Sequence, residues 1–159
     1  GSSFPVALPS CLFIPLTSFF NWAIREAVSS VNEITLRAEL EQCEAELASD
    51  IAALAEIQKA RENGASIENL AVLPSLSRKG NLSECITNLE QLRKLRSSTT
   101  GSNAAVREEQ ERQIAQTEHN LEVELLAIVT AIKEHCAKTI TQRNSARASL
   151  VEIAKVASA

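Results

Sequence analysis

The sequence predicts an all-α protein: an elongated helical bundle of three to five helices, two of them long, behind an extended aromatic N-terminal arm. Three observations carry that class. All five aromatic residues (Phe4, Phe13, Phe19, Phe20 and Trp22) lie within the first 22 positions, and the first charged side chain is Arg25. Beyond Arg25, more than 130 residues hold no aromatic and no methionine, but carry Leu, Ile and Ala three and four apart, the spacing of one helix face. Four glycines, four prolines and no tyrosine are too few turn and strand formers for an all-β chain.

At 159 residues, with 45% hydrophobic and 23% charged side chains, the composition is globular. The chain is long enough to bury a core without a metal. It divides into an apolar arm over 1–17 and a single helical-bundle domain over 18–159. The arm is expected to be extended because Pro5, Pro9 and Pro15 bias their predecessors away from helix. It lacks the basic start of a secretory signal. Its longest apolar run, Cys11 to Leu16, is far short of the roughly 18 residues a transmembrane helix needs.

Thr17 or Ser18 can cap a helix starting at Phe19. Ser29-Ser30 is expected to interrupt it, with Ser30 and Glu33 spaced to restart it as a capping box. Leu36, Leu40, Cys43, Leu47, Leu54 and Ile57 then form an apolar stripe that ends at Asn63-Gly64, where glycine supplies a left-handed cap. Residues 64–80 read as a connection with one short turn of helix over 66–72. Asn81 and Glu84 suggest a second capping box, opening a helix with Leu82, Cys85, Leu89 and Leu92 on one side. The run from Ser97 to Asn103 is a turn. The last helix begins near Ala104 and carries Ile114, Leu121, Leu125, Ile128, Ile132 and Cys136; its length implies either an elongated hairpin or a break, for which Asn144-Ser145 is the best candidate.

Four widely separated cysteines, Cys11, Cys43, Cys85 and Cys136, match no zinc-binding spacing and fit two disulfides in a secreted domain. Counted from the 97–103 turn, straight helices would leave Cys85 and Cys136 about 30 Å apart, too far for a bridge. The favoured pairing is Cys11–Cys136 with Cys43–Cys85. Reduced core thiols are the alternative.

Charge narrows the function. A net −4 argues against nucleic acid, which needs a basic face. Residues 33–62 hold eight acids and three bases, whereas 133–159 hold five bases and two acids, so the two segments suit side-by-side packing. His119 and His135 are the only histidines and lack the Glu-x-x-His spacing of di-metal bundles, since positions 116 and 132 are Gln and Ile. No nucleophile elbow and no glycine-rich phosphate loop occurs. No enzyme, metal or cofactor is expected. Asn81-Leu82-Ser83 is an N-glycosylation sequon that also reads as a helix cap.

These observations lead to a secreted, non-enzymatic helical protein that binds a macromolecular partner, an unidentified protein. A homodimer is compatible with the stripes. One alternative is a carrier of small apolar, lipid-like molecules, with Phe13, Phe19, Phe20 and Trp22 lining the pocket. Another is an intracellular coiled-coil adaptor. The simplest role of the rings is to cover one end of the bundle.

Overall fold

The computed structural model describes the backbone of residues 3–99, 101 and 103–158, and the side chains of these from residue 18 onward. Four helices form: α1 (Ser3–Glu62), α2 (Ile67–Ala71), α3 (Leu82–Ser98) and α4 (Ala104–Ser158). No strand occurs among the described residues. The chain divides into two compact units, one made of Gly1–Glu44 with Thr141–Ala159 and the other of Ala45–Ile140.

Two expectations are corrected along α1. The backbone is helical from Ser3, so residues 3–17 are not an extended arm. Pro5 falls in the first turn, where the N–H has no intrahelical partner in any case. Pro9 and Pro15 each remove one ladder bond, and the surrounding residues keep the remaining ones. The helix also runs unbroken through Ser29-Ser30. Serine disfavours a helix only by a fraction of a kcal/mol, too little for a pair of them to end one. For the same reason α4 passes through Asn144-Ser145 without a break.

The ends of the helices follow the sequence more closely. Gly64 sits at φ +78°. Its N–H donates to the Arg61 carbonyl and the Ala65 N–H to the Ala60 carbonyl, each at 3.0 Å, the paired bonds of a Schellman cap. Ser66 caps α2, its hydroxyl accepting from the Asn69 N–H at 3.2 Å. The Asn103 side chain caps α4 by accepting from the Val106 N–H at 3.0 Å. Asn81 is the exception. It holds the N-cap position of α3 without a side-chain cap bond, so the expected capping box does not form. Its backbone N–H donates instead to Glu124 Oε1 of α4, at 3.3 Å.

In the unit of residues 45–140 one aliphatic core joins all four helices. Ile57 comes from α1, Leu70 and Ala71 from α2, and Leu82 and Leu89 from α3; they meet Ile114, Leu121, Leu125, Ile128 and Ile132 of α4. Leu76, from the connection between α2 and α3, is fully buried. Every member is aliphatic, so packing rests on interdigitated branched chains without large rings. In the unit of residues 1–44 and 141–159, Cys43 of α1 and Ala146 of α4 are buried, and Ala23, Glu33, Leu36 and Leu40 of α1 and Arg143, Leu150 and Ile153 of α4 are partly covered. Arg147 and Glu44 pair there at 3.0 Å, a contact between the basic and acidic segments.

Gly80 ties the 72–81 connection to α4. It adopts φ +57°, and a Cβ added there would stand 2.3 Å from Glu124 Oε1 and 3.1 Å from Ile128 Cδ1. Gly80→Ala should therefore destabilise the protein by about 1–3 kcal/mol, because it strains the backbone and displaces the carboxylate that accepts from Asn81. Urea denaturation checks this. A change within ±0.3 kcal/mol, a size typical of neutral surface substitutions, would contradict it.

Candidate interaction surface

Of the predicted ligand-binding residues, Phe19 and Trp22 stand side by side. Phe19, Phe20 and Trp22 stand on α1 with more than half their surface exposed. The Phe19 and Trp22 rings lie 5.9 Å apart, a tilted pair of the usual aromatic kind. The side chains of Phe13 and Cys11 lie outside the described residues. Cys43, Cys85 and Cys136 are free thiols, so the expected Cys43–Cys85 bridge is not formed, while the expected Cys11–Cys136 bridge involves Cys11, outside the described residues. Each instead occupies an apolar position: Cys43 continues the Leu36–Leu40 stripe and is buried, Cys85 packs on the aliphatic core, and Cys136 is half-buried on α4. A free thiol suits such places as a small hydrophobe. Asn81 is exposed.

What the sequence reading missed is a second stripe on α1. Phe20, Ile24, Ala27, Val31, Ile34 and Ala38 recur four and three residues apart, and all six are exposed. Two residues of helix rotate the chain by about 200°, so Ile34 points away from Leu36 and Val31 from Glu33. The stripe therefore lies opposite the face that α1 shows to its own unit. From residue 18 to 32 only Ala23 is even partly covered. The signal was present in the spacing, but it lay among the aromatics, whose size drew the reading towards a pocket.

The second unit holds two polar clusters. Asp50, the only aspartate, is buried at 8% exposure. It meets Nδ1 of His135 at 2.5 Å, while Nε2 of the same ring faces Glu46 at 3.6 Å. An imidazole between two carboxylates can donate to both when doubly protonated. The arrangement cross-links α1 to α4. A groove of about 400 Å³ runs past it, with Lys79 and Ile132 among its walls. Among the described residues no group of three or more His, Cys, Asp or Glu side chains is placed to hold a metal.

The other cluster centres on Arg93. Its guanidinium donates to both Glu68 oxygens at 2.6 and 2.5 Å and to Glu118 at 3.1 Å, so one α3 side chain joins α2 to α4. The fork of an arginine suits this bidentate geometry. The hydrogen bonds from Arg93 hold the Glu68 carboxyl below its ordinary value of 4.5, outweighing the opposite push from burial and aided by the arginine's charge. The same bonds raise Arg93. Beside the clamp an open groove of about 680 Å³ lies between α3 and α4, its walls mixing Leu92 and Leu95 with Asn88, Gln91, Gln113 and Thr117.

No described helix is long and apolar enough to cross a membrane. Comparison of the chain with protein-family models, with curated proteins and with solved structures finds no match.

Two outcomes follow from this geometry. Because the folded Glu68 value is depressed, its contribution to stability is present above the unfolded value and is lost as pH falls through the folded one. The melting temperature of Glu68→Gln should lie below wild type at pH 7, and the two should converge below the ordinary value of 4.5; thermal melts across pH read this. Thiol alkylation of the native protein should modify Cys85 and Cys136 before Cys43, which is only 4% exposed. Peptide mapping after timed quenching checks the order.

Proposed function

We propose that this chain is a non-enzymatic helix–helix interaction protein that engages a macromolecular partner along the exposed stripe of α1. The observation that carries the reading is the run Phe20, Ile24, Ala27, Val31, Ile34 and Ala38. It repeats at coiled-coil spacing, yet no described side chain of the protein covers it. A soluble helix leaves apolar side chains exposed singly, whereas a contiguous exposed stripe marks an interaction surface. The polar clusters of the second unit fit a scaffolding role, because each joins helices.

The three free thiols favour the reduced, adaptor form of this reading over the secreted form. Exposure of Phe19, Phe20 and Trp22 weighs against the carrier alternative, which needs those rings turned into a cavity.

The test is a photo-reactive residue in place of Val28, beside the stripe, in the full chain exposed to extract from the source cells. Irradiation should yield one or a few discrete cross-linked protein species. Adding Ile24→Glu and Val31→Glu should abolish them while leaving the circular dichroism unchanged. Cross-linking that persists in the charged variant, or none at all, would overturn the proposal. Intact-mass measurement with alkylation before reduction addresses the thiols: unblocked cysteines support the reduced form, and two bridges would refute it.

A further inference from the structure

We propose that the Phe20–Ala38 face of α1 pairs antiparallel with the same face of a second copy of this chain; the inference rests on the interaction reading above. In heptad terms Phe20, Ala27 and Ile34 occupy d positions, and Ile24, Val31 and Ala38 occupy a positions. An identical helix has two simple ways to meet this stripe. Set parallel and in register, it stacks Phe20 on Phe20, Ala27 on Ala27 and Ala38 on Ala38. Wide layers then alternate with gaps that the side chains cannot fill. Set antiparallel about a twofold axis near Ser29, it places Phe20 against Ala38, Ile24 against Ile34 and Ala27 against Val31. Each layer joins a large side chain to a small one, or two of equal size, so the packing stays even along the seam. One patch serves both copies, as a twofold dimer requires.

Charge supports the same occupant. The positions flanking the seam are Asn21, Ala23, Val28, Ser30, Thr35 and Arg37. Arg37 is the only charged one, and Glu33 of its own chain holds it at 2.9 Å. The antiparallel copy sets Arg37 beside Ala23, Val28 beside Val28 and Ser30 beside Ser30, so no like charges meet. The two helix dipoles then run in opposition, which is favourable. A strongly acidic or basic foreign helix would find almost nothing on these flanks to pair with, although flanking charges are what usually select a different partner. Residues 18–32 are bare apart from partial cover at Ala23. All six seam positions are exposed, so a second copy reaches them without displacing any described side chain.

Sedimentation equilibrium of the purified full chain, from about 1 to 300 μM, tests this across the range in which a short seam should associate. The expected result is a reversible monomer–dimer equilibrium with micromolar dissociation. Ile24→Glu should weaken it by about tenfold or more, since it sets a charge in the seam. Adding Ile34→Lys to that variant should recover much of the loss, because the new acid and the new base face each other only in the antiparallel pair. Circular dichroism, and the melting temperature read well below the dissociation constant, should stay at wild-type values, as both positions are exposed. A chain that is monomeric at every concentration, a dimer indifferent to Ile24→Glu, or a double variant weaker than the single one would each overturn the proposal. A monomer that still gives the Val28 photo-cross-link in extract removes the self-pairing and leaves the interaction reading standing; a monomer without it removes both.

Discussion

The constraint on which the unit of residues 45–140 depends is burial of one aliphatic stripe of α4. Ile114, Leu121, Leu125, Ile128 and Ile132 lie along a single face of that helix, and water is the alternative to covering them. Each fully buried side chain of this kind contributes roughly 1.5–3 kcal/mol relative to exposure. Every other element of the unit is placed by what it adds to that face: Ile57 from α1, Leu70 from α2, Leu82 and Leu89 from α3. Directional bonds then fix how these elements meet. Arg93 joins α2 and α4 through Glu68 and Glu118, Glu124 accepts from the Asn81 backbone, and Asp50 grips His135. Burial decides that the helices meet, and these polar contacts decide how they are aligned.

That division explains which features could be read from the sequence. Helix class, the Gly64 stop, the short helix capped by Ser66 and the turn before Ala104 were legible because each is set by neighbouring residues. The buried stripes were legible because periodicity survives wherever a face is covered. The Asp50–His135 pair was not, since its members are 85 residues apart and neither carries a local mark. Asn81 shows the same limit from the other side. Its spacing to Glu84 fits a capping box, but Glu124 of α4 reaches the backbone N–H at the same helix start. The cysteines misled for a related reason: an even count suggests bridges, while a place on an apolar stripe suits a thiol equally well. Proline bias, a property of single peptide units, gave an arm where the longer helix absorbs the missing bonds.

The candidate surface was half legible. The aromatic cluster was visible as a break in composition, and its size invited a pocket. Its bearing changes once Phe20 is seen as the first member of a series continuing through Ile24, Val31 and Ile34. Composition marks where large side chains are, whereas only a helical frame shows that they share a face. The frame also separates two kinds of apolar residue on one helix: Leu36, Leu40 and Cys43 lie on its covered side, and Val31, Ile34 and Ala38 on its exposed side.

The separation of those faces has an energetic consequence. When a helix uses one stripe both for its own fold and for its partner, association competes with folding, and the exposed state is marginal. Here the two stripes are about half a turn apart, so the Glu44–Arg147 contact and the cover over Leu36 and Leu40 can persist whether or not the outer face is occupied. Binding on that face then adds to stability by mass action alone, in proportion to the free partner over its dissociation constant. Substitutions such as Ile24→Glu should act on affinity without acting on the fold. On the proposed interaction reading, that independence lets association be measured apart from unfolding, because one side of the helix serves its own chain and the other is exposed.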